Sequence, residues 1–166
     1  MTETQLFHAS SVALRVPSGS WVGAAFWGPS GSGKSDLALR LLHELGPERC
    51  RLVADDYVTL ACSGERVTVS APAALAGRIE VRGVGLVDAP ARDGVELVAV
   101  FRLGTGKAIP RMPEPDSVKL ASLGDGLPAV SVRVFDLNAF EASASAKVSA
   151  AVQLICARAD QSQGLA

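Results

Sequence analysis

Residues 28–35 read GPSGSGKS, and residues 52–56 read LVADD. Gly28, Gly31 and Gly33 permit positive φ and close main-chain approach, so successive N–H groups can ring phosphate oxygens. Pro29, Ser30 and Ser32 complete the loop. A helix beginning directly behind it adds the partial positive charge of its N-terminus. In that frame Lys34 reaches the β and γ phosphates, and the Ser35 hydroxyl can ligate Mg2+. The octet satisfies G-x-x-x-x-G-K-[ST] and points to nucleotide binding.

A phosphate loop alone names no reaction. Asp55 and Asp56 end a short apolar strand, at the sheet edge where phosphate loops also open. One carboxylate there can hold Mg2+ directly or through water, and a second can accept a proton from an incoming hydroxyl. Adjacent strand residues point to opposite faces, so one of the pair should face metal or substrate and the other a different partner. The reading leans to Asp55 as the base, with Asp56 as the open alternative and Asp55 also a candidate metal ligand. Further along, GRIEVRGVGLVD (77–88) alternates with period two. Ile79 and Val81 then face a core, while Glu80 and Arg82 share the other face ~7 Å apart. Such a pair suits Mg2+ and phosphate, although taken alone it reads first as an exposed ion pair on an edge strand. His43 falls on the polar side of the helix behind the octet, and His8 stands alone near the N-terminus.

These residues need elements to position them. VALRV (12–16) and WVGAAFW (21–27) flank PSGS and predict a hairpin whose second strand is central and buried. From Asp36 the period changes. Leu37, Ala38, Leu41, Leu42 and Leu45 make one helical face, stopped by Gly46-Pro47. RLVA (51–54) is a short strand, VTLAC and RVTVS a second hairpin around SGE, and VELVAVF (95–101) a further buried strand. Residues 104–119 carry three prolines and two glycines and predict a loop. A last helix is expected through AFEASASAKVSAAVQLICARA, with a disordered tail after Asp160. The expectation is a single α/β catalytic domain over 1–160, a mixed sheet flanked by helices, and a tail over 161–166.

Composition narrows the partners. The chain has 166 residues, 48% hydrophobic, enough for one buried core. Its net charge of −1 gives no electrostatic footprint for nucleic acid. No apolar run approaches the ~20 residues of a membrane span, and MTETQLFHAS shows no secretory signal, so a cytoplasmic location is expected. Cys50, Cys62 and Cys156 are an odd number without CxxC spacing and read as small hydrophobes in a reducing compartment. Guanine-binding NKxD and an LSGGQ-like stretch are both missing from the sequence. A small-molecule kinase, with Arg102, Arg111 and Arg133 serving a lid, and a non-catalytic nucleotide sensor are the competing readings. A pure sensor has no need of a positioned base.

Taken in order, His8, GPSGSGKS, LVADD and GRIEVRGVGLVD resemble the catalytic domain of the bacterial HPr kinase/phosphorylase family, over residues 6 to 155. The resemblance implies a phosphate-loop α/β core akin to that of phosphoenolpyruvate carboxykinase. It implies ATP- and Mg2+-dependent phosphorylation of a serine on the phosphocarrier protein HPr and, in many members, a reverse phosphorolysis that yields pyrophosphate. Carried over residue by residue, Gly28 to Ser35 form the ATP site, with Ser35 on Mg2+. Asp55 or Asp56 is the base, Glu80 a metal ligand, Arg82 part of the catalytic strand, and His8 a neighbour that positions the base. Arg111, in IPRMPEP, falls in a mobile loop over the phosphates. Two departures stand out. The resemblance is to a short form without the N-terminal domain of longer members, which leaves a homo-oligomer open as an expectation. The family's PVRPGRN segment is replaced by LPAVSVRVFD (127–136), where only Arg133 remains and Asp136 follows it. Weak or absent phosphorolysis is therefore expected.

Overall fold

The computed structural model describes residues 4–114, 117–122, 127 and 129–163. Its strands are β1 (Thr4–Phe7), β2 (Ser10–Arg15), β3 (Trp21–Trp27), β4 (Cys50–Ala54), β5 (Val58–Ser63) and β6 (Arg66–Ser70). They continue with β7 (Arg78–Val81), β8 (Gly85–Asp88), β9 (Val95–Leu103), β10 (Ser117–Lys119) and β11 (Ser131–Leu137). Helix α1 spans Lys34–Leu45 and α2 spans Ala144–Gln163.

The uncharged β3 lies at the centre of the main sheet. It is antiparallel to β2 and parallel to β9, in the strand order β1-β5-β6-β9-β3-β2-β4. β9 is long enough to serve two neighbours on its far edge. Near its start it meets β6, and from Ala99 onward it pairs in parallel with β11, which in turn carries β10. The result is the mixed α/β sheet that the strand and helix pattern predicts.

Alternation sends one set of side chains to each face. Val12, Leu14, Phe26, Leu52 and Phe101 pack with Leu37 and Leu41 of α1 and Val148 and Val152 of α2. Phe101 stacks on Phe135, with ring centroids 5.3 Å apart, and packs against Phe26 at 6.0 Å. On the other face Ala13, Ala25, Val53 and Val100 meet Val58, Leu60, Val67 and Val69. The sheet supplies that second layer itself, by curling until β4 and β6 approach. Each large side chain buried in this way contributes roughly 1.5–3 kcal/mol.

Several boundaries move. α1 begins at Lys34, two residues before the expected start, and α2 begins at Ala144, after a turn over residues 138–143. α2 continues to Gln163, so residues 161–163 are helical and not a disordered tail; residues 164–166 lie outside the described residues. Of the predicted loop, residues 104–114 hold no regular element and 117–119 form β10. The stretch 131–137, expected only as a replaced segment, is the strand β11. The three cysteines are free. Burial pushes the Cys50 thiol up to about 12 and raises Cys62 and Cys156 as well. No described helix is long and apolar enough to cross a membrane.

Candidate active site

β3 delivers the chain to the octet at its C-terminal end, and α1 leaves from it. A Cβ at Gly28 would stand 2.5 Å from the Leu103 carbonyl oxygen and 2.7 Å from Ser32 Oγ, so only glycine fits there. Gly31 (φ 80°) and Gly33 (φ 94°) take the left-handed conformation that turns the loop, and Gly33 caps α1. The loop is closed on itself by its own lysine. Lys34 is 7% exposed and folds back, its Nζ donating to the carbonyls of Gly28 (2.8 Å) and Pro29 (3.1 Å). Burial lowers its pKa, against the opposing pull of the Asp56 and Asp55 carboxylates. Ser32 Oγ is buried and has no hydrogen-bond partner among the described residues. A buried hydroxyl inside a glycine loop is a donor waiting for an acceptor, and a phosphate oxygen is one.

The two aspartates separate because the strand ends before them. β4 stops at Ala54, and Asp56 takes φ 68°, the one positive φ at a non-glycine among the described residues. The Tyr57 N–H closes the turn on the Asp55 carbonyl at 2.8 Å. Such a conformation costs of order 1–3 kcal/mol and is typical of functional turns. Asp55 is 5% exposed. Its Oδ1 accepts from Ser35 Oγ at 2.7 Å and Ser10 Oγ at 2.8 Å, and its Oδ2 from the Glu80 N–H at 3.0 Å. Asp56 is exposed and hydrogen-bonded to His8 Nε2 at 2.9 Å. The His8 ring in turn packs against Tyr57, 5.2 Å between centroids. A carboxylate held by three donors in the interior is poorly placed to take a proton from an incoming group. Of the two carboxylates, Asp56 is the one exposed to an incoming group.

The other candidates are gathered less tightly. β7 buries Ile79 and exposes Glu80, as alternation requires, but the strand ends at Val81 and Arg82 falls in the following turn. Glu80 reaches Asp55 through its main chain, not its carboxylate. Arg111 is exposed in the 104–114 segment. Among the described residues no hydrogen bond or ion pair joins Arg82 or Arg111 to the octet, and no group of three His, Cys, Asp or Glu is preassembled for a metal. Hard oxygen donors at Ser35 and Asp55 nevertheless fit Mg2+, which keeps several waters and takes few protein ligands.

Asp136 does not sit against Arg133. Its carboxylate is bound bidentately by Arg102, with both N···O distances 2.9 Å. These two are direct neighbours on the parallel strands β9 and β11. Arg102 also lines a cleft of about 370 Å³ with Trp27, Gly28, Pro29 and Gly104, beside the phosphate loop. Arg133 pairs three positions earlier, with Ala99, and lines a groove with Val16, Ser18 and Ser20 at the far end of the sheet, its Nε buried and without a hydrogen-bond partner among the described residues. Sequence reasoning missed Ser10 and the Arg102–Asp136 pair. The signal for Ser10 was a polar pair, Ser10-Ser11, opening an otherwise apolar strand.

The sequence profile of the HPr Serine kinase C-terminal domain family matches residues 5–101. The HPr kinase/phosphorylase of Clostridium tetani (strain Massachusetts / E88) is 38% identical over 77 residues, 46% of this chain and 24% of that protein. That of Exiguobacterium sp. (strain ATCC BAA-1283 / AT1b) is 43% identical over 68 residues, 40% of this chain and 21% of that protein. The matched stretch thus spans less than a quarter of these relatives. The solved Hpr(Ser) kinase/phosphatase from Coxiella burnetii superposes with a TM-score of 0.67 at 18% identity, over 96% of this chain and 93% of that one. At that identity the likeness concerns the fold.

Proposed function

The chain belongs to the HPr Serine kinase C-terminal domain family, and from that membership we propose that it transfers the γ-phosphoryl group of ATP to a serine of the phosphocarrier protein HPr. The observation that carries the reading is the division between two adjacent carboxylates. Asp55 is tied to the Ser35 hydroxyl, while Asp56 stands exposed beside His8.

In this reading the main-chain N–H groups of 28–35 and the buried Ser32 hydroxyl hold the phosphates. Lys34 exchanges its two carbonyl contacts for β and γ phosphate oxygens. Ser35 and Asp55 would hold Mg2+, with Glu80 at hand from β7. When bound, Mg2+ neutralises charge developing on the phosphates. The acceptor serine hydroxyl gives its proton to Asp56 as its oxygen bonds to the γ phosphorus and the bond to the β phosphate breaks, releasing ADP. His8 holds the Asp56 carboxylate in orientation. The loop 104–114, with Arg111, closes over the phosphates as a lid.

A small-molecule kinase would use an arginine-rich lid. Of the three arginines available for one, Arg102 is engaged by Asp136 and Arg133 lies at the opposite end of the sheet, which supports a protein acceptor. The test is incubation with ATP, Mg2+ and a panel of phosphocarrier proteins, read by intact mass. A single phosphoryl addition on HPr is expected. A panel left unmodified by protein that binds the nucleotide would rule out this function.

A further inference from the structure

Ser10 is fully buried, and its Oγ donates to Asp55 Oδ1 at 2.8 Å. The same oxygen accepts from Ser35 Oγ at 2.7 Å. We infer that Ser10 is a positioning residue, one that fixes the Asp55 carboxylate for its work on Mg2+; the inference rests on the Mg2+-dependent transfer proposed above.

The strand geometry puts Ser10 there deliberately. Val12 and Leu14 of β2 face the α1 side of the sheet, and period two sends Ser10 to that side as well, beneath the start of α1. Its neighbour Ser11 points the other way and donates to the Ala24 carbonyl at 2.9 Å. Between Ser11 and Val12 the pairing of β2 with β4 slips by one residue, from Ser11 opposite Ala54 to Val12 opposite Leu52. The extra residue, Val53, is on β4, so the slip bends β4 just before Asp55 and leaves the alternation of β2 intact.

The three donors to Asp55 are not equivalent. Ser35 must turn its oxygen lone pair outward when it serves as a ligand, so its hydroxyl is the donor that can change partner. The Glu80 N–H and the Ser10 hydroxyl have no such second task, and they hold Oδ2 and Oδ1 respectively. Without Ser10, Oδ1 would keep no donor besides the hydroxyl of a metal ligand. The carboxylate could then rotate, and the direction in which it presents its oxygen would no longer be fixed.

Ser10→Thr and Ser10→Val have the same shape and differ by the hydroxyl. For each, Mn2+ uptake by the full chain with a non-hydrolysable ATP analogue is measured by electron spin resonance, and thermal unfolding is followed without metal. Ser10→Val should weaken Mn2+ binding by about tenfold or more, and Ser10→Thr by no more than about threefold, as expected for outer partners of a metal ligand. Should Ser10→Val fail to fold, Ser10→Cys, a far weaker donor, replaces it against Ser10→Thr in the same comparison. Equal Mn2+ affinity in the hydroxyl and non-hydroxyl variants, whatever their unfolding temperatures, would overturn the inference alone. A wild-type protein that takes up no Mn2+ with nucleotide would overturn the proposed function and this inference with it.

Discussion

Ser35 and Asp55 are twenty residues apart in the chain and 2.7 Å apart across the site, hydroxyl on carboxylate. One belongs to the first turn of α1 and the other follows β4, so the contact ties the phosphate loop to the neighbouring part of the sheet. In Asp55→Asn the acceptor oxygens are reduced and the charge is lost. Metal-dependent nucleotide binding should weaken about 10–100-fold, as read by titrating Mg2+ against a fluorescent nucleotide, while binding without metal changes little.

Lys34 should leave a signature in the pH dependence of stability. Burial lowers its pKa from the usual 10.5, so the unfolded chain holds this proton more tightly than the folded one. Folding is therefore disfavoured by Lys34 below the lowered pKa, and the penalty fades as pH rises towards 10.5. The stability of the wild type relative to Lys34→Met should rise with pH across that window, with other groups cancelling in the difference. Denaturant unfolding at a series of alkaline pH values measures it; a flat or falling difference would contradict the buried, destabilised ammonium.

Gly28→Ala places a Cβ where the Leu103 carbonyl oxygen and Ser32 Oγ already stand, at 2.5 and 2.7 Å. Because one of these is main chain of β9, the loop has to move rather than a side chain. Nucleotide affinity should fall at least about tenfold with the protein still folded, since overpacking at one site typically costs about 1–3 kcal/mol. Isothermal titration beside a circular dichroism melt separates the two effects.

The parts legible in the sequence are those whose local pattern is self-sufficient. The octet needs only its own glycines, the entering strand and the leaving helix, and all three stand where the pattern puts them. The hairpins around PSGS and SGE were equally plain, because turn residues and alternation agree there. β11 was missed because SVRVFDL, with a charge at both Arg133 and Asp136, reads as surface. Its burial comes from pairing with β9, while Asp136 is paired by Arg102 and Arg133 opens onto a distant groove. That Asp55 and Asp56 meet different partners was legible, but which of them is buried was beyond reach for a similar reason. Alternation assumes a strand that continues, whereas the φ of 68° at Asp56 breaks it and the donors to Asp55 come from three separate elements.

The reverse reaction should be weak. Inorganic phosphate attacking a phosphoserine brings two anions together and needs cations between them. The sequence offered Arg133 for this, but it pairs with Ala99 and opens to the far end of the sheet, and Asp136 occupies Arg102. With serine-phosphorylated HPr, phosphate and no ATP, pyrophosphate release should run about 10²-fold or more below kinase turnover, the scale of a missing charge-stabilising donor. Comparable rates would mean that Arg82 or Arg111 supplies the cation.

The central claim is that Asp56, oriented by His8, takes the serine proton while Asp55 serves the nucleotide side. Single-turnover transfer from ATP to HPr in Asp56→Asn, at saturating nucleotide and Mg2+, tests it directly. Nucleotide affinity should stay within about threefold of wild type while the transfer rate drops about 10²–10⁴-fold, the usual loss on removing a general base. Transfer at the wild-type rate in Asp56→Asn would contradict the assignment and return the proton to Asp55.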